Sequence, residues 1–157
     1  MNKKIKTICV ISLFAVAFGY IEASVVIYLR QVFFPEGFDL PFYPFLFYFG
    51  SKINIPLYVH TNDYLVEVFR EAATLVVLFS LAWLTGRSLK EKLGTMLLAW
   101  GIWDIFYYVF LFLIIRWPSS LLTMDVLFLI PVPWLAPVIL PISASLIMIG
   151  TAVHLLR

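Results

Sequence analysis

At 157 residues, 63% of them hydrophobic and only 13% charged, with a mean hydropathy of +1.01, the chain carries more apolar surface than a water-soluble domain of its size buries. A net charge of +2 without a large basic patch excludes nucleic acid as a partner. The single cysteine, Cys9, excludes an intramolecular disulfide and a thiolate metal cluster.

Met1 to Lys6, MNKKIK, is a basic leader, and residues 7–29 form an apolar run that is closed by Arg30. A charged start before an apolar stretch also suits a cleaved signal peptide. The run continues past the usual length of one, however, and Ile21-Glu22-Ala23-Ser24 is a poor cleavage site, so a retained first span is expected. Ala15, Gly19 and Ala23 recur every fourth residue, a small-residue stripe that lets another helix approach closely. Glu22 lies at the edge of that stripe and should therefore face protein.

Residues 31–62 break regular spanning structure with Pro35, Pro41, Pro44 and Pro56. Nine of the seventeen residues from Phe33 to Phe49 are aromatic, which suits a belt at the headgroup level better than a free loop. An outer interfacial segment is expected, with one short helix around Phe45 to Phe49. It serves as an anchor or as a lid over a site.

The second span, 64–86, begins after a cap at Thr61, Asn62 or Asp63 and ends at Gly86. On a helix its Glu67, Arg70, Glu71 and Thr74 share one face. A charge at the centre of a bilayer costs a few kcal/mol on the most lenient scale, about 3 kcal/mol, so this stripe is expected to face other helices or a wet cavity. The third span, 93–115, carries Asp104 near its middle, with Tyr107 and Tyr108 on neighbouring positions. Residues 118–131 include an apolar stretch too short to span, which reads as an interfacial or re-entrant segment bearing Asp125. The fourth span, 132–156, is entered through Pro131 and Pro133 and bent by Pro137 and Pro141.

The fold expected is thus an all-α, four-span transmembrane bundle forming one integral membrane domain, 1–157, with an aromatic-rich outer segment between spans 1 and 2. Lys3, Lys4, Lys6, Arg87, Lys90, Lys92 and Arg157 would lie inside, against Arg30, Lys52 and Arg116 outside, which puts both termini in the cytoplasm. At about 1.5 Å rise per residue, Glu22 and Glu71 fall roughly 10 Å below the outer helix ends and Asp104 roughly 15 Å below. A binding site is therefore expected from Glu22, Glu67, Arg70, Glu71, Asp104, Tyr107 and Tyr108, opening outward. Arg70, with Arg30 near the rim, neutralises one carboxylate, and the remainder call for a proton or a bound cation.

Three functions suit that cluster: binding or passage of a small cation, proton or polar headgroup; a structural network in an accessory subunit; and catalysis on a lipid or isoprenoid substrate, with Asp104 or Glu71 as general acid or base. The catalytic residues and any cofactor stay open, since no Gly-rich phosphate loop, HExxH or GxSxG motif occurs. No metal site is expected, because a carboxylate-bridged di-iron bundle adds histidines in Glu-x-x-His spacing and none is present. His60 and Asp63, at the outer mouth, read as solvated loop residues. The expected partners are the lipid bilayer and a membrane protein or a second copy of the chain.

The runs WDIFYYVFL, 103–111, WPSSLLTMDVLFLIPVPWLAP, 117–137, and REAATLVVL, 70–78, resemble a family of small uncharacterised polytopic membrane proteins of prokaryotes. The resemblance implies a prokaryotic plasma membrane and carries no activity.

Overall fold

The computed structural model describes residues 3–38, 40, 48–49, 61–131 and 133–157. It is mostly helical, with four helices: α1 (Lys3–Phe33), α2 (Thr61–Thr85), α3 (Leu89–Ile115) and α4 (Ile139–Leu156). Among them α1, α3 and α4 are each long and apolar enough to cross a membrane. The 27 residues of α3 extend about 40 Å at 1.5 Å per residue, more than a hydrocarbon core of about 30 Å requires.

Helix α3 starts where Ser88 accepts a hydrogen bond from the Glu91 N–H at 3.2 Å, while Glu91 Oε2 accepts one from the Arg87 N–H at 2.9 Å. These contacts satisfy amides that the first turn leaves open. The helix packs between α1 and α4 because small residues open its flanks. A Cβ on Gly19 of α1 would meet the Trp103 carbonyl oxygen at 2.9 Å, and one on Gly101 would meet the Ser145 carbonyl oxygen at 2.8 Å. Ala15 and Ala23 on the same stripe are fully buried, so the every-fourth-residue pattern is the face on which α1 meets α3.

One apolar cluster joins Ile11 and Ala15 of α1, Leu78 of α2, Leu98 and Trp103 of α3 and Ala152 of α4. The Lys4 ammonium donates to the Arg157 carbonyl oxygen at 3.2 Å, and a Cβ on Gly94, near the start of α3, would meet the Leu156 side chain at 2.8 Å. The start of α1, the end of α4 and the α2–α3 turn thus share one end of the bundle, and with them the basic residues of those segments.

The opposite end carries a small antiparallel sheet, formed by β1 (Tyr48–Phe49), β2 (Met124–Phe128) and β3 (Trp134–Pro137) in the order β1-β3-β2. Met124 pairs with Pro137, Asp125 with Ala136 and Val126 with Leu135. The register then shifts before Phe128 meets Trp134. This sheet corrects the all-α expectation: within 118–131, Met124–Phe128 is a strand. It also corrects the fourth span, whose helix begins at Ile139 and not at 132. Pro131, Pro133 and Pro137 supply no N–H for a helix, and Trp134–Pro137 stays extended and pairs with β2. Pro141 lies in the first turn of α4, where no amide partner is needed. Of the short helix expected around Phe45 to Phe49, Tyr48–Phe49 is instead a strand, and the rest falls outside the described residues, as does His60.

Candidate ligand-binding cavity

Between the sheet and the four helices lies a cavity of about 470 Å³, walled mainly by apolar side chains. All seven residues expected at a site, Glu22, Glu67, Arg70, Glu71, Asp104, Tyr107 and Tyr108, border it, together with Arg30, Thr74 and Asp125. They form separate groups around one space.

The first group joins α1 to α2. Arg70 Nη1 donates to the Glu22 carboxylate at 2.7 and 2.6 Å, and its Nε donates to Glu67 Oε2 at 2.7 Å. One guanidinium thereby holds two carboxylates in charge-assisted bonds. Thr74, one turn on, donates its hydroxyl to the Arg70 carbonyl oxygen at 3.1 Å. The spacing 67, 70, 74 that aligned these residues in the sequence is what brings them to the helix face turned towards α1.

The second group is built at the sheet end. Arg30, in the last turn of α1, donates to Asp125 Oδ1 at 3.2 Å, while the Tyr108 hydroxyl donates to Asp125 Oδ2 at 3.0 Å and the Val126 N–H to Oδ1 at 2.9 Å. The Arg30 guanidinium carbon lies 4.1 Å from the Phe38 ring centroid and 3.6 Å from that of Trp117. Cation–π contact with the two rings compensates part of the hydration lost on burial. Burial pushes the Asp125 carboxyl up from its ordinary value, opposed first by Arg30 and then by the Tyr108 hydroxyl.

The third group consists of two carboxylates that make no ion pair among the described residues. Glu71 Oε2 accepts from the Leu129 N–H at 2.8 Å, just after β2, and Asp104 Oδ2 accepts from the Ser145 hydroxyl on α4 at 2.6 Å. Each is held in position by a neutral donor, which orients the group without pairing it directly with a cation. With five acids and two arginines, the wall has a formal excess of three negative charges.

Asp125 and Ser145 are the site residues missed by sequence reasoning. Asp125 could have been found from a single carboxylate in the apolar stretch LLTMDVLFLI, where burial requires a cation or donors. Ser145 is buried among apolar residues of α4, and nothing in its immediate sequence points to Asp104. Among the described residues no group of three or more His, Cys, Asp or Glu side chains is arranged to hold a metal ion.

Fold and cavity define a mostly helical protein with three helices able to cross a membrane and a charged chamber between its helices. Comparison with protein-family models, with curated proteins and with solved structures gives no match.

Proposed function

We propose that this chain is a four-span protein of a prokaryotic plasma membrane, with both termini cytoplasmic, that binds a small amphipathic cation in the cavity between its helices. The observation that carries this reading is the pair Glu71 and Asp104, two carboxylates on the cavity wall that make no ion pair among the described residues. A cation that neutralises them needs an apolar body to fill the remaining, mainly apolar, space. A fourth span is supported by α2, whose charges turn inward while Phe69, Val76 and Leu84 are exposed on its outside, Leu84 to 84%. Such a surface belongs in lipid. The cytoplasmic placement is supported by the basic residues gathered at the end that holds both termini.

Dodecylamine, titrated into the protein in phosphatidylcholine nanodiscs with empty discs as the reference, tests the reading. The wild type is expected to bind it, and Glu71→Gln and Asp104→Asn to weaken binding by at least about thirtyfold, the effect of removing one partner of a buried charge pair. Their unfolding midpoints should stay near that of the wild type.

A second reading, a structural role in an accessory subunit, draws support from Arg70, whose bonds to Glu22 tie α1 to α2. That reading predicts no amine binding and a loss of folded protein in both variants.

A further inference from the structure

Two hydrogen-bond donors on residues bordering the cavity have no acceptor among the described residues: the Trp103 indole N–H and Nη1 of Arg30. Both residues are deeply buried, Trp103 at 6% and Arg30 at 8% exposure. A buried donor left unpaired sacrifices the hydration it had in water and gains nothing for it. The aromatic contacts of Trp103, with ring centroids 5.8 Å from Phe18 and 6.3 Å from Trp100, explain its ring and leave its N–H unaccounted for.

The wall decides what kind of acceptor fits. With three more carboxylates than arginines around the cavity, a further anion would be repelled, whereas an uncharged oxygen accepts a hydrogen bond without adding charge. Trp103 immediately precedes Asp104 in α3, so a donor and an unmatched carboxylate arise from successive residues on one wall. A ligand whose ammonium meets Asp104 and whose adjacent carbon bears an oxygen engages both. Arg30 lies about 16 Å further along α1 than Gly19, the residue that touches Trp103, and offers its free Nη1 to a second oxygen towards the sheet end.

We infer that the cavity takes an oxygenated amine, an ammonium with a neighbouring uncharged hydroxyl or carbonyl oxygen on an apolar body, and that the Trp103 N–H is the donor that selects the oxygen. This rests on the cation-binding reading above and goes beyond it, since a bare alkylamine would satisfy Asp104 and Glu71 and leave Trp103 unpaired.

The test compares dodecylamine, 2-amino-1-dodecanol and the methyl ether of that alcohol, each titrated into the protein in phosphatidylcholine nanodiscs and corrected with empty discs. The alcohol is expected to bind the wild type about fivefold more tightly than the plain amine, the effect of one neutral hydrogen bond. The ether should keep that advantage, because its oxygen still accepts although it can no longer donate. Trp103→Phe keeps a ring and removes the N–H, so it should bind all three amines about equally, near the wild-type affinity for dodecylamine. Equal binding of amine and alcohol by the wild type overturns the inference and leaves the cation site standing. An advantage that disappears in the ether, or survives in Trp103→Phe, removes Trp103 as the selecting donor. Failure of all three amines to bind overturns both the inference and the reading beneath it. The wild-type comparisons decide the matter even if the variant does not fold.

Discussion

Replacing Arg70 by methionine keeps much of the side-chain volume and removes the charge that Glu22 and Glu67 share. The two carboxylates have 14% and 7% of their side chains exposed, so neither recovers its hydration when the guanidinium is lost. Breaking a buried pair from one side costs about 3–5 kcal/mol, and the 24% exposure of Arg70 argues for the lower end, about 3 kcal/mol. For a chain of this length that corresponds to a fall in the unfolding midpoint of about 6–12 °C. Combining the change with Glu22→Gln and Glu67→Gln removes the stranded charges together with their partner, and replacing a buried ion pair as a whole is often close to neutral. The triple variant is therefore expected to recover most of the loss. Thermal unfolding in detergent, followed by circular dichroism, measures both steps. A single variant that melts with the wild type, or a triple variant no better than the single, would show that the carboxylates are not desolvated and would refute the reasoning.

Other substitutions probe the remaining contacts. Gly19→Leu forces a side chain against the Trp103 carbonyl oxygen at a contact where even a Cβ has only 2.9 Å, and should destabilise the α1–α3 interface by about 1–3 kcal/mol, read from the same melts. Tyr108→Phe deletes the hydroxyl that Asp125 Oδ2 accepts from, and should cost about 1.5–3 kcal/mol of stability, as for other hydrogen bonds to a charged group. Orientation follows from labelling in a Cys9→Ser background, where no other thiol remains. A membrane-impermeant maleimide on whole cells should modify Ser120→Cys, at the sheet end, and should reach Lys90→Cys only after permeabilisation; the reverse pattern would invert the proposed topology.

The parts legible in the sequence are those governed by local periodicity and by the cost of burying charge. Glu67, Arg70 and Thr74 could be assigned to one helix face because 3.6 residues make a turn, and Glu22 could be turned inward because lipid does not solvate it. The stripe Ala15, Gly19, Ala23 announced a close helix contact for a similarly local reason. Glu71 shares the face of Glu67, yet it reaches the Leu129 amide and not Arg70, and nothing local distinguishes the two carboxylates. The sheet was not legible, since Met124–Phe128 and Trp134–Pro137 are short apolar stretches whose strand character depends on pairing with each other and with Tyr48–Phe49, residues distant in the chain. The missed role of Asp125 follows from that: its meeting with Arg30 and Tyr108 depends on where β2 docks. Pro137 was read as a bend in a helix, where it closes the strand β3.

The claim that an amphipathic cation occupies the space between the helices is tested most directly by photolabelling. A dodecylamine carrying a diazirine in its chain, irradiated with the protein in nanodiscs and mapped by peptide mass spectrometry, is expected to attach within Trp100–Tyr108 and Val126–Leu129, and excess dodecylamine should suppress that attachment. Labelling confined to exposed outer positions such as Phe69 and Leu84, unchanged by competitor, would contradict the account.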